Sequence, residues 1–320
     1  MEHLKPYMMS PFIEGPALPR TIMGYVLRYS GRHQVGLAVL SVAVFSLSAL
    51  PLELQRRVIN DAIKSGATGT ILWLAAAYAG VALAQQGLKL VLNIYRGWVS
   101  EAAVRRLRRT LEVLPEGQAD VPGTRVAMMV DEALPIGGFV GMSVSEPLLQ
   151  GGILVSVIGY MVFLEPYMIF LSLAFLVPQM IFVPLMQRAI NRRAEERIRT
   201  IRAVSSDIIN AGIAADAQVE RVFSLNMGIY KIKYSMNLLM NLMHYFAVAV
   251  ALGVGGWFVV AGRIEVGTVV AVVAGLGKLN DPWGDLVSWG RELSVVGVKY
   301  RLFADALARR ADGTSSRDIG

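Results

Sequence analysis

Apolar residues along this chain gather into long windows without charge, separated by stretches dense in arginine, lysine and acids. Gln34–Leu52, Ser65–Leu88, Pro147–Leu164, Pro166–Gln187 and Tyr234–Gly262 hold no Asp, Glu, Lys or Arg. A helix that crosses the hydrocarbon core of a bilayer needs about 20 mostly apolar residues, so each window predicts one span. A sixth is predicted to start near Thr268 and run past Trp289. Its apolar run Val266–Gly277 is followed by Lys278, Asp281 and Asp285. The expected class is therefore an all-α membrane protein with six transmembrane helices.

The polar stretches sharpen this reading. Lysine and arginine number four before the first window, seven in Lys89–Glu146, nine in Arg188–Lys233 and seven from Lys278 onward. Only three lie between the first two windows, one (Arg263) between the fifth and sixth, and none between the third and fourth. Basic residues concentrate on the cytoplasmic side of membrane proteins. The alternation predicts a multi-pass protein with both termini cytoplasmic, in a bacterial inner membrane. Trp73 and Trp257 then fall at the outer surface, a level tryptophan favours.

The two long inner stretches read as helices. Leu185–Ala211 lacks Gly and Pro, and Ile190, Ala194, Ile198, Ile201, Val204 and Ile208 recur at steps of three and four. That spacing makes one apolar stripe on an α-helix. Arginines fill much of the remainder, from Arg188 to Arg202. At 1.5 Å per residue, Gln187–Ala211 reaches roughly 38 Å. Leu88–Leu114 behaves alike, with Arg105, Arg106, Arg108 and Arg109 along it and Gly97 as its weak point. Each rod must pack its stripe against another rod. The first turns near Pro115, Gly117, Pro122 and Gly123, the second within Gly212–Gly228. Rigid levers of this kind suit the transfer of motion between a cytoplasmic motor and a membrane cavity.

Composition narrows the chemistry. Charged residues make up 17% and hydrophobic ones 54%, against about 25% charged in an average soluble domain. The net charge of +7 follows from the basic inner loops and does not point to nucleic acid. With no cysteine, disulfides, thiolate metal sites and a cysteine nucleophile are excluded. The first 33 residues hold three prolines within Pro11–Pro19 and no apolar run of signal-peptide length. With three histidines and no Ser-His, His-Glu-x-x-His or paired-carboxylate pattern, no catalytic residues or metal site are expected.

Polar residues inside spans are costly and face a cavity or another helix. Gln85, Gln86, Asn93, Asn237, Asn241 and His244 qualify, and the last three share one helical face. Met236, Met240 and Met243 lie beside them, an adaptable apolar lining for bulky cargo. The plainer reading is interhelical hydrogen bonding. Gly137-x-x-x-Gly141 would permit close helix packing ahead of the lipid region.

The order of these features resembles the transmembrane domain of type IV ABC exporters, the ABC type-1 transmembrane domain. Leu50-Pro51-Leu52 through Val58-Ile59-Asn60-Asp61-Ala62-Ile63 is similar to the family's stretch after helix one. Gly123 to Glu132 stands where the family has Gly-x-Leu-x-Ser-Arg-Leu-x-x-Asp, keeping the glycine, an aliphatic position and the acidic end. Val219-Glu220-Arg221-Val222-Phe223-Ser224-Leu225 resembles Ile-x-x-Val-Lys-x-Phe of the second inner loop, and Asp281-Pro282-Trp283 through Arg301-Leu302-Phe303 the end of helix six. Gly262-Arg263-Ile264-Glu265-Val266-Gly267-Thr268-Val269-Val270-Ala271 matches the run opening helix six most fully. The resemblance covers residues 20–307, so the domain is expected at 21–307, between a cytoplasmic segment 1–20 and a polar tail 308–320.

The resemblance implies a membrane-spanning subunit of an ATP-driven exporter. It also implies a second six-helix subunit as partner, in a homo- or heterodimer. No G-x-x-x-x-G-K-[ST] is present, since Gly277-Lys278 precedes Leu279. ATP and Mg are accordingly expected on a separately encoded ATPase subunit, with no cofactor and no enzyme activity on this chain. Coupling helices are implied at Val113–Val121 and Ala215–Leu225, with Leu114, Glu116, Gln118, Val219, Glu220 and Arg221 touching the ATPase. An exporter-like scaffold or receptor that does not transport is the alternative. An ion-coupled transporter would want paired acids deep in the spans, and none of the first five windows holds an acid.

Overall fold

The apolar windows fold as helices, and several helices run well past them. The structure, a computed structural model, describes residues 19–63, 66, 68–113, 133–211 and 216–315. Among the described residues all regular structure is helical. In chain order it comprises α1 (Ile22–Ser46), α2 (Leu50–Arg57), a π-helical stretch (Val58–Ile63), α3 (Thr68–Val113), α4 (Ala133–Met142), α5 (Ser145–Leu164), α6 (Pro166–Leu176), α7 (Gln179–Ala211), α8 (Asp216–Val260), α9 (Val266–Gly277) and α10 (Asn280–Ser315).

Five stretches are long and apolar enough to cross a membrane: Ile22–Asp61, Thr68–Thr110, Ala133–Leu164, Pro166–Ile201 and Asp216–Val260. Many of their large side chains face outward, including Phe163 at 85% and Val260 at 88% exposure. Apolar surface on this scale is stable against lipid tails and costly against water. The architecture is consistent with a multi-pass membrane protein.

The expected sixth span departs from this pattern. Instead of one helix from Thr268 past Trp289, the chain makes α9, of 12 residues, and then α10, with Lys278 and Leu279 between them. Twelve residues reach about 18 Å, short of a hydrocarbon core of about 30 Å. Pro282 explains the break. It has no N–H for the carbonyl of residue 278, and its ring would clash there. The N–H of Lys278 turns back to the Gly275 carbonyl at 2.9 Å, and α10 restarts with its proline in the first turn.

Helix boundaries follow local chemistry. Thr21 caps α1, its Oγ1 accepting from the Gly24 N–H at 3.1 Å. Extended Glu165 separates α5 from α6, which Pro166 opens. At the end of α8, the Gly262 N–H bonds the Val259 carbonyl and the Arg263 N–H the Phe258 carbonyl, with Gly262 at φ +71°. This is a Schellman stop, and it needs a residue that tolerates left-handed backbone.

The chain divides into two compact units. The first comprises the described parts of Met1–Leu54, Leu72–Val157 and Leu279–Gly320. Its core joins Tyr25, Leu37, Leu92, Leu107, Phe139 and Tyr300, among others. Here α4 lies directly on α3. A Cβ on Gly137 would come within 2.7 Å of the Val104 nitrogen, and one on Gly141 would strike the Arg96 carbonyl. The Gly137-x-x-x-Gly141 pattern therefore marks the contact between these helices.

The second unit comprises Gln55–Ile71 and Ile158–Lys278. In it α8 packs against α6, α7 and α9. Gly255 of α8 accommodates Met168 of α6 and Val269 of α9. The π-helical stretch presents Asn60, whose Oδ1 accepts the Gly267 N–H at 2.7 Å. That N–H belongs to the first turn of α9, where no intrahelical acceptor exists, so Asn60 caps α9 from another element.

Candidate functional site

The predicted levers exist as helices. α3 has 46 residues and continues through Arg105–Arg109, and α7 continues through the arginine-rich stripe to Ala211. Leu114, Glu116 and Gln118 lie outside the described residues, as does Gly123–Glu132. Val219, Glu220 and Arg221 are exposed, but they form no separate tip helix. They occupy the opening turns of α8, which runs unbroken for 45 residues. Arg221 pairs with Glu196 of α7, and Arg197 Nη1 donates to Asn226 Oδ1 at 3.1 Å. The second tip is thus braced to the neighbouring rod.

The predicted cavity residues fall on two helices. Gln85, Gln86 and Asn93 sit on α3 in the first unit, with Gln85 half-buried and the other two exposed. Asn237, Asn241 and His244 sit on α8 in the second unit. They share one face as the spacing predicts, the asparagines exposed and His244 half-buried. His244 Nδ1 is buried without a partner. Met236, Met240 and Met243 are half-buried beside them, and the Met240 carbonyl accepts from Gln179 Nε2 at 3.4 Å.

The most developed polar site involves none of these residues. Arg96 of α3, 8% exposed, lies in the first unit. Its Nε donates to Ser145 Oγ at 2.8 Å and its Nη1 to Glu146 Oε2 at 2.5 Å, both at the start of α5. Gln150, one turn on, donates through Nε2 to Glu146 Oε1 and to Asp285 Oδ2 of α10, each at 2.8 Å. Ser145 returns its own hydroxyl proton to the Gly141 carbonyl at 3.0 Å, and its carbonyl accepts from Ser41 Oγ at 3.2 Å. Arg96 Nη2 is buried without a partner. Lys89 and Asp281 also act electrostatically on Asp285.

This network corrects two expectations. Arg96, counted with the inner loop, is buried within a span-length helix. Glu146, placed just before the third window, lies inside the membrane-length stretch Ala133–Leu164. The sequence carried a signal in the steps of four that join Glu146 to Gln150 and Asp281 to Asp285. The partner on α3, 50 residues away, carried none.

Chemically, one guanidinium balances one carboxylate directly, and one amide holds two carboxylates. Such an arrangement ties α3, α5 and α10 together only while Arg96 keeps its charge partners, since a lone buried ion is heavily penalised. Farther along α10, Tyr300 donates its hydroxyl to the Pro19 carbonyl at 2.8 Å, and burial pushes its pKa well above the usual phenol range. Among the described residues no cluster of three His, Cys, Asp or Glu is arranged to hold a metal. No family model matches the chain, and no curated protein matches it.

Proposed function

We propose that the chain is a membrane-spanning subunit of an ATP-driven, exporter-type transporter that works with a separately encoded ATPase and a second transmembrane subunit. The observation that carries this reading is helix length. α3 and α8 hold 46 and 45 residues, or about 69 and 68 Å, against a hydrocarbon core of about 30 Å. The surplus leaves the membrane as charged rod. A long, stiff, braced helix transmits displacement, and the exposed Val219, Glu220 and Arg221 offer a motor a place to grip.

Purification of the tagged chain from native membranes tests this. A stoichiometric chain with a P-loop is expected to accompany it, and Val219→Asp with Glu220→Lys is expected to release that chain. A stoichiometric complex with other membrane proteins and no ATPase would instead favour a scaffold or receptor.

A second reading, ion-coupled transport, draws on the contact of Gln150 with both Glu146 and Asp285. It predicts substrate movement that collapses with the proton gradient while ATP remains plentiful.

A further inference from the structure

We propose that the α7–α8 hairpin of the second unit carries a binding belt for anionic phospholipid headgroups of the inner leaflet. Three contacts fix the antiparallel register. Gln179 meets the Met240 carbonyl, Arg193 lies against Gly228, and Arg197 bonds Asn226. Arg188 of α7 therefore stands level with Lys233 of α8, and Arg192 and Lys231 lie about one turn or less away. All four are exposed. Tyr230 and Tyr234 stack at the same level, with ring centroids 6.1 Å apart.

Two features single out this level. On one side of it the hairpin surface is apolar, with Ile181 and Leu185 of α7 and Leu238 of α8 each more than half exposed. On the other side two exposed cations are matched: Arg199 pairs with Glu195, and Arg221 with Glu196. The belt itself has no such match. Neither Gln179–Ala194 nor Val222–Val260 contains an acid, and among the described residues none of the four belt cations forms an ion pair.

Uncompensated cations bordering a lipid-facing apolar surface, with tyrosines at the boundary, are what an anionic leaflet attracts. The ligand is the phosphate group of a membrane lipid, because the apolar surface beside it must lie in acyl chains.

The test uses the full chain in mixed micelles of phosphatidylcholine and phosphatidylglycerol, with native mass spectrometry counting the lipids retained. The wild type is expected to enrich phosphatidylglycerol several-fold. Arg188→Gln and Lys233→Gln are each expected to reduce that enrichment, by up to roughly fivefold per charge removed. The charge-conserving Arg188→Lys retains it, and Arg199→Gln, which removes a matched cation, leaves it unchanged. No enrichment in the wild type, or enrichment that survives both Gln substitutions, would overturn the proposal. So would inorganic phosphate displacing the lipid at equal concentration, or a shift in oligomeric state on Arg188→Gln with lipid enrichment unaltered. These outcomes would assign the belt to a soluble anion or to a second copy of the chain.

Discussion

The two units handle charge in opposite ways. The first draws it inward: buried Arg96 pairs with half-buried Glu146, and buried Gln150 links Glu146 to Asp285 at the exposed edge. The second leaves most of it outside: Arg188, Arg192, Arg199, Arg221, Lys231 and Lys233 of α7 and α8 are exposed, and among the described residues the ion pairs of this hairpin lie near its tip. A buried ion must find its partner within the fold, so the first unit is specified by pairing. An exposed ion near a membrane can take its partner from outside, so the second unit depends on what surrounds it. Stability should therefore be fragile in the first unit and tolerant along the second unit's rods.

The comparison is easiest to break at Arg96. Arg96→Met leaves half-buried Glu146 without its cation and is expected to cost up to about 3 kcal/mol, read as a large drop in thermal midpoint in detergent. Arg96→Met combined with Glu146→Leu should recover part of the loss, because replacing a whole buried pair costs less than orphaning one member. Equal losses for the single and double variants would show that the pairing does not matter.

Gly141→Ala comes next. Its Cβ meets backbone of α3, which cannot move aside as a flexible side chain would. Overpacking of this kind costs about 1–3 kcal/mol. Gly138→Ala, one turn position away in open space, is the control and should be close to neutral.

In the second unit the expected effects are smaller. Asn60→Ala removes the acceptor of the Gly267 N–H and should cost about 1–2 kcal/mol. Arg199→Gln breaks an exposed pair on the rod and should shift stability by less than about 0.5 kcal/mol. A rod substitution as damaging as Arg96→Met would erase the contrast between the units.

The sequence made the membrane class and the rods legible because both depend on local pattern. Charge-free windows foretold the apolar stretches, and the Ile190-to-Ile208 stripe foretold α7 as far as Ala211. The broken sixth span was half visible: Lys278 and Asp281 stood out, but the decisive agent was Pro282 in the following turn. The second turn was expected within Gly212–Gly228, and α7 does end at Ala211 with α8 starting at Asp216, although both bounding glycines look alike as breakers. Gly228 instead sits inside α8, where its missing side chain makes room for Arg193. The Arg96 network was hidden for a topological reason. It joins residues of α3, α5 and α10 that are far apart in sequence, and counting charges by loop assigned Arg96 to water. The three predicted polar positions of α8 do share a face, yet nothing within that helix says what the face meets.

The natural absence of cysteine allows the account's central claim, that the long arms lie on the cytoplasmic side of the membrane, to be measured directly. Glu220 opens α8 and Ala261 follows its end, both exposed and about 60 Å apart along the axis. In intact cells, Ala261→Cys should react with a membrane-impermeant maleimide, and Glu220→Cys should react only after the cells are permeabilised. Labelling of Glu220→Cys from outside intact cells would contradict the account.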